Sequence, residues 1–497
     1  MMPHHQQRRD SQQTFLGWLF GGSRLKRDTV QQHPETSVVE FLEQRQVLTA
    51  LTGASVEQLA ADSVSPSSLV DTDQALAMAV QSDGKIVLVG SAEINTNGNS
   101  DFAVTRLNAD GTLDTTFGTN GKVTIAFDLG GNNTDVATSV AIQADGKIVI
   151  GGYSQITISG NYDFSVARLN ANGSLDTSFS SDGKATVSFD VGGNDDDRAS
   201  GVAVQADGKI VLVGFTTVGF NGIRDFAIAR LNADGQLDTS FSVDGKKRVD
   251  LHQGDDFATA VTVQPNGRIV VVGSAQQVKA GYDFGIVRIT PNGSMDRSFT
   301  GDGKKTFGFN RGGSLNDQVT SVAVQSDGAI VMAGTSYSKT GGGDFAVARL
   351  RPSGSLDTHF GSDARQTVSF DHGGHNEDNA NGVALQSDGK IVLAGLAQLT
   401  DDGDYDFAAV RLNSNGDLDT SFSTDGKTTI PFNGGGTKTD LARALIVQNN
   451  GKILLAGSAM KANPADADFA ITRLNPDGQV DGTFGTNGLQ TVPFDLT

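Results

Sequence analysis

The residues of this 497-residue chain whose types and spacing could do chemistry are carboxylates set on glycine-rich stretches. Asp128 and Asp135 flank Gly130-Gly131-Asn132-Asn133, Asp190 precedes Gly192-Gly193 with Asp195 and Asp197 after it, and Asp371 and Asp378 flank Gly373-Gly374. Oxygen donors gathered on flexed backbone are what calcium requires. These seven aspartates are the candidate calcium ligands, and solvated turns are the competing reading, because the ordered D-x-D-x-D-G series ending in Glu is missing. His372 and His375, spaced H-x-x-H beside Asp371 and Asp378, have donor types that suit a transition metal, but the glycines between them make a flexible loop rather than a preorganised face. No other cofactor is expected. There is no cysteine, which excludes thiolate catalysis and Cys-ligated zinc. Near-neutral acid–base chemistry is left to His4, His5, His33, His252, His359, His372 and His375, and no stretch joins one of them to a Ser and an acid in a way its counterparts lack.

A second set of charges is regular rather than clustered. Arg106, Arg168, Arg230, Arg288, Arg349, Arg411 and Arg473 each precede an aspartate by eight residues: Asp114, Asp176, Asp238, Asp296, Asp357, Asp419 and Asp481. Each arginine shares a strand face with Phe and Val, and a buried guanidinium without a partner costs several kcal/mol. A structural Arg–Asp pair is the expectation, against a sevenfold ligand site as the alternative.

The elements that must position these groups come from a tandem repeat. Seven copies of a unit of roughly 61 residues start at Asp73, Asp135, Asp197, Asp256, Asp317, Asp378 and Asp440. In the second copy, two β-branched runs, Thr138–Gln143 and Lys147–Gly151, flank Ala144-Asp145-Gly146, the signature of a hairpin whose glycine supplies positive φ. A third strand, Asp163–Leu169, alternates with both faces largely apolar, and a fourth follows a second glycine turn at Lys184–Phe189. Four short antiparallel strands per unit, stacked on similar neighbours, predict an all-β seven-bladed propeller, with a right-handed β-helix as the competing solenoid. The strand expected to line the channel reads Ala77-Met78-Ala79-Val80 in the first copy and Ala444-Leu445-Ile446-Val447 in the last, without convergent ionisable groups. Two closures stay open: blades in phase with the repeats, or Gln490–Phe494 completing the first blade as a latch.

The D-G-K-I-V-L-V-G, D-F-A-V-x-R-L-N and L-D-T-x-F segments resemble the delta-60 repeat of bacterial proteins across all seven copies, and the strand order is similar to NHL-type propeller blades. Upstream, Leu42, Glu43, Arg45 and Leu48 resemble the LEPR-XLL segment of exported bacterial proteins, with Gln44 in place of Pro and Val47 in place of one Leu; a short amphipathic helix is the alternative. The resemblances imply export to the cell surface or beyond and carry over no reaction. The domain expectation is a basic disordered leader over 1–36, the LEPR-XLL-like segment and linker over 37–68, and the propeller over 69–497. Its repeats fall at about 73–134, 135–196, 197–255, 256–316, 317–377, 378–439 and 440–497.

A formal charge of −19 and a pI near 4.7 argue against nucleic-acid binding, which needs basic residues on one face. No apolar run reaches the roughly 20 residues of a membrane span. The expected function is a monomeric, non-catalytic binding or structural scaffold for a protein or polysaccharide. The alternative is a hydrolase or lyase acting on a sugar or lactone in the channel.

Overall fold

The computed structural model describes residues 73–494 except 94–98, 128, 130–133, 157–160, 190–195, 220–221, 278–280, 310–315, 339–341, 371–376, 399–403, 433–438 and 461–466. The leader, the LEPR-XLL-like segment and the linker lie outside the described residues, as do Asp128, Asp190, Asp195, Asp371, His372 and His375.

Each repeat folds into one antiparallel sheet. In the first blade β1 (Gln74–Val80), β2 (Ile86–Glu93), β3 (Ser100–Leu107) and β4 (Lys122–Ile125) pair in sequence order, and the same order recurs in all seven sheets through β25 (Asp440–Val447), β26 (Ile453–Met460), β27 (Ala467–Leu474) and β28 (Leu489–Val492). The protein is a seven-bladed β-propeller. Its β1–β2 hairpin is closed by Gln81 donating to the Lys85 carbonyl at 2.8 Å, with Gly84 at φ +85° in the turn. That left-handed backbone is what the Asp-Gly pairs of the sequence demand.

The first strands touch one another in succession around the axis and form the innermost ring. Every one carries a β-bulge against the second strand, between Ala75 and Ala77 in blade one and at the matching place in the other six. Gly90 on β2 is the local cause: a Cβ there would lie 1.7 Å from the Gln74 carbonyl oxygen, so the strands approach only where no side chain stands between them.

The core lies between blades rather than within one. On β3, Phe102 packs with residues of blade two, including Val140 and Ile150, while the adjacent Ala103 packs with Phe469 and Ile471 of blade seven. This is why both faces of the third strand are apolar: each sheet is covered twice.

Among the described residues the ring closes without exchanging a strand. β28 pairs with β27 inside blade seven, so the alternative that Gln490–Phe494 completes the first blade is overturned. The last junction instead repeats the contacts of the other six. Phe494 donates its amide to Asp73 Oδ2 at 2.6 Å, as Phe127 does to Asp135 at 2.7 Å. Arg473 donates to the Ala109 carbonyl at 2.6 Å, as Arg168 does to Ala233 at 2.5 Å. The Gly485 amide reaches Asp110 O at 2.7 Å, as Gly118 reaches Asn172 O at 2.9 Å.

Candidate functional site

The regular charges sit at the end of the blade where β3 finishes. Arg106 Nε lies 2.8 Å from Asp114 Oδ2, and the other six pairs are held at 2.6–2.8 Å. Each guanidinium also lies over the phenylalanine three residues beyond its aspartate, 4.5 Å from the Phe117 ring centroid in blade one and 4.8 Å from Phe422 in blade six. Its Nη1 donates to a main-chain carbonyl of the next blade, so one side chain ties its own sheet to its neighbour. The lysine of the G-K-I segment joins the carboxylate from the other side, as in Lys209–Asp238 at 2.8 Å, and in blade four Arg268 does so for Asp296 at 2.7 Å. Blade five has Ala329 at that place, and there Arg351 stands 3.5 Å from Asp357. Burial alone raises a carboxyl, but hydrogen bonds from Thr116 and Lys85 with the charge of Arg106 outweigh it and hold Asp114 well below the usual range. The same balance keeps Asp296 near 2.

Of the seven calcium candidates, Asp135, Asp197 and Asp378 are described, and the structure gives them one common duty. The Oδ2 of each accepts the amide of a phenylalanine just past a fourth strand: Phe127 at 2.7 Å, Phe189 at 2.6 Å and Phe370 at 2.6 Å. Asp73, Asp256, Asp317 and Asp440 do the same for Phe494, Leu251, Phe309 and Phe432. These aspartates open the first strands and hold the residues just past the fourth strand of the neighbouring blade.

Close by, the aspartate of the D-F-A segment is buried as well, so two carboxylates meet at each of several junctions. Burial pushes Asp406 up to about 7, with the charges of Asp440 and Asp404 adding to the rise. A carboxyl raised in the fold above its unfolded value favours folding at low pH, and that contribution is lost as the pH climbs from about 4 through 7. Asp406→Asn should therefore raise the melting temperature by a few degrees at pH 8 and leave it unchanged at pH 4; thermal melts of the two proteins at both values check this.

The strand-start face, which carries these aspartates, is where the blades cease to be alike. Position by position, Tyr153 and Phe215 correspond to Ser91, Ser274 and Ser458, and Tyr162, Arg224 and Tyr282 to Ser100, Gly343 and Ala467. Tyr153 and Tyr162 meet edge to face at 5.5 Å, and the Arg198 guanidinium lies 4.2 Å from the Tyr162 centroid while pairing with Asp196 at 2.8 Å. One blade on, Phe215 and Phe257 meet at 5.4 Å, Arg224 lies 5.0 Å from Phe257, and Tyr282 adjoins at 5.9 Å. Apart from the buried Tyr153 and Phe215, these side chains are partly open to solvent. Across the ring Tyr405 takes this place, its hydroxyl 3.2 Å from Glu377 Oε2, with Tyr337 of blade five also close to Glu377.

The bulged residues of the innermost strands make a second non-repeating set: Leu76, Thr138, Ser200, Thr259, Thr320, Asn381 and Arg443. Five of them reach the next blade's backbone in turn: Thr138 to Ala199 O at 2.9 Å, Ser200 to Ala258 O at 2.5 Å, Thr259 to Val319 O at 2.8 Å, Thr320 to Ala380 O at 2.8 Å and Asn381 to Ala442 O at 2.7 Å. Leu76 interrupts this belt and packs on Val136 and Tyr153. Arg443 is the charged member, its pKa pushed down to about 10 by burial in the ring. The sequence reading stopped at Ala444 and passed over it; aligning the copies on their opening aspartate would have set Arg443 beside three threonines.

Geometry of this kind defines a closed ring of seven near-identical blades whose aromatic departures from the repeat gather on the strand-start face. The chain belongs to the family described as "Domain of unknown function (DUF5122) beta-propeller", which matches residues 81–117, 143–179, 205–241, 264–299, 325–360, 386–422 and 448–484, together more than half its length. No curated protein matches the sequence. Similar solved structures include a protein of unknown function from Dyadobacter fermentans DSM 18053, with 12% identity over 84% of this chain and 95% of that one and a TM-score of 0.40. The β-propeller domain of the trilobed protease from Pyrococcus furiosus has 10% identity over 86% of this chain and 97% of that one, with a TM-score of 0.40. A PL25 ulvan lyase has 12% identity over 68% of this chain and 78% of that one, with a TM-score of 0.39.

Proposed function

We propose that this propeller is a non-catalytic binding module that takes a polysaccharide on the strand-start face over blades two to four. The observation that carries the reading is the placement of the aromatic departures. Tyr153, Tyr162, Phe215, Phe257 and Tyr282 fall on adjacent blades, braced by Arg198 and Arg224, where the same positions elsewhere hold mostly small or unrelated side chains. The partly open rings of Tyr162, Phe257 and Tyr282, held from beneath by the buried Tyr153 and Phe215, suit the C–H faces and hydroxyls of sugars. The innermost belt supports binding over catalysis. Its described members are neutral apart from one arginine, whereas acid–base chemistry on a glycosidic bond calls for paired carboxyl groups. The delta-60 and LEPR-XLL resemblances support a place outside the cell for such a module, and fractionation of the host with an antibody to the propeller tests that location.

The test of binding is a glycan array probed with the full chain, with Tyr162→Ser and Tyr282→Ser alongside; serine is the residue the repeat itself uses at Ser100. Polysaccharide retention by the parent and at least tenfold weaker retention by both variants is the expected result. Turnover in a hydrolase and lyase panel would move the function to the channel. Equal retention by parent and variants would displace the site from this face, and capture of protein but no glycan would overturn the ligand class.

A further inference from the structure

We infer that the junction between blades three and four is a calcium site formed by Asp225, Asp250 and Asp256. One carboxylate oxygen from each lies within 4.8 Å of the others, a spacing that lets a single hard cation touch all three. The set contains oxygen donors alone, which selects calcium over transition metals.

Two of the three are present at other junctions in some form, since Asp225 belongs to the D-F-A series and Asp256 to the aspartates that open the first strands. Asp250 is the departure. It directly follows the fourth strand of blade three, Lys246–Val249, where the other blades have Ala126, Ser188, Gly308, Ser369, Pro431 and Pro493. At the position that follows the fourth strand, blade three alone carries a carboxylate, beside two that are already buried.

A second observation points to a ligand independently of the count of acids. Asp256 is fully buried; its Oδ2 accepts the Leu251 amide at 2.6 Å and the His252 amide at 3.2 Å, while its Oδ1 is enclosed and has no hydrogen-bond partner among the described residues. A buried carboxylate oxygen left without a donor is costly unless it takes a proton or a cation reaches it.

The surrounding charges leave room for that cation. Arg248 Nη1 lies 3.2 Å from Asp225 Oδ2, and Lys304 Nζ donates to the main-chain carbonyl of Asp250 at 2.7 Å. Asp255, whose Oδ1 accepts the Arg224 amide at 3.0 Å, adds a fourth carboxylate that acts on Asp225. The carboxylates at this junction outnumber the basic side chains around them. His252 is turned away, with Nε2 2.8 Å from Thr306 Oγ1. Asp250 is exposed, so water can complete the coordination from the solvent side.

Calorimetric titration of the full chain with calcium chloride, beside Asp250→Ser and Asp250→Asn, tests the assignment. Both variants restore a neutral residue at that place, and serine is what blades two and five carry, so melting in EDTA confirms that they fold. The expected result is one calcium-dependent heat in the parent that is lost or weakened at least tenfold in both variants, with calcium raising the melting temperature of the parent alone. No heat with millimolar calcium in the parent, equal binding by the variants, or binding of magnesium with no calcium response would each overturn it.

Discussion

Deletion of residues 489–497 is expected to lower the melting temperature on the order of 10 °C, the largest loss any short truncation of the ring should produce. β28 is an outer strand of its blade, and a peripheral strand would ordinarily be dispensable. Here its removal acts on the closing junction. Val492 and Phe494 leave the cluster they share with Ile86, Leu88 and Phe469, at about 2 kcal/mol for each large side chain buried. Asp73 loses the Phe494 amide it accepts at 2.6 Å, and Lys122 loses the Pro493 carbonyl. Among the described residues no strand crosses from one end of the repeats to the other, so beyond the Arg473 and Gly485 contacts the junction keeps the Asp73 amide on the Ala467 carbonyl at 2.9 Å. An opened ring exposes the facing sides of blades one and seven, so the truncated chain should also bind a hydrophobic dye. A truncated protein that melts within a degree or two of the parent would show that the remaining contacts between Arg473 and Ala109 and between Gly485 and Asp110 suffice for closure.

Arg230→Met is expected to cost about 3 kcal/mol, at the lower end of what breaking a buried ion pair removes. The methionine keeps apolar contact with Phe241 but loses three polar links at once: the 2.8 Å pair with Asp238, the donation to the Pro291 carbonyl of blade four, and the contact with Gln205 at 3.4 Å. Lys209 remains 2.8 Å from the stranded carboxylate and limits the damage. The pH dependence has a definite sign. Burial raises Asp238, yet Lys209, Ser240 and the Arg230 charge together hold it well below its unfolded value. The stability this confers is present in full above about pH 4 and is lost as the pH falls toward the folded value. The gap between parent and variant in denaturant melts should therefore be equal at pH 7 and pH 5 and smaller at pH 3. A gap below about 1 kcal/mol at pH 7 would sink the structural reading of the arginines and reopen the sevenfold ligand site.

Much of the architecture is legible in the chain because a repeat states its geometry seven times. Glycine at every hairpin, as at Gly84, requires left-handed backbone, and alternation along Phe102–Leu107 with apolar residues on both faces requires a sheet covered twice. Regular arginines and aspartates eight residues apart pointed to partners, and the structure places each pair in contact. Deviations were harder to see. The bulge that turns Arg443 into the axial belt depends on how closely β25 approaches Gly457, whose missing Cβ would lie 1.8 Å from the Leu441 carbonyl oxygen. Such a displacement leaves no trace in hydropathy. The aspartates at Asp135, Asp197 and Asp378 looked like free loop donors because composition does not say which oxygen a distant backbone amide already occupies.

By itself the sequence determined the unit, its four strands, the number of blades and the apolar faces that must be covered, since these follow from local propensity and periodicity repeated along the chain. Only the tertiary structure decided how the ring closes, which departures from the repeat become neighbours, and where three carboxylates converge. The physical reason is distance along the chain. Asp225 and Asp250 are brought together by pairing within one sheet, but Tyr162 and Arg198, or Phe494 and Asp73, meet only when separate blades pack, and no local pattern encodes a contact that depends on the whole ring being closed.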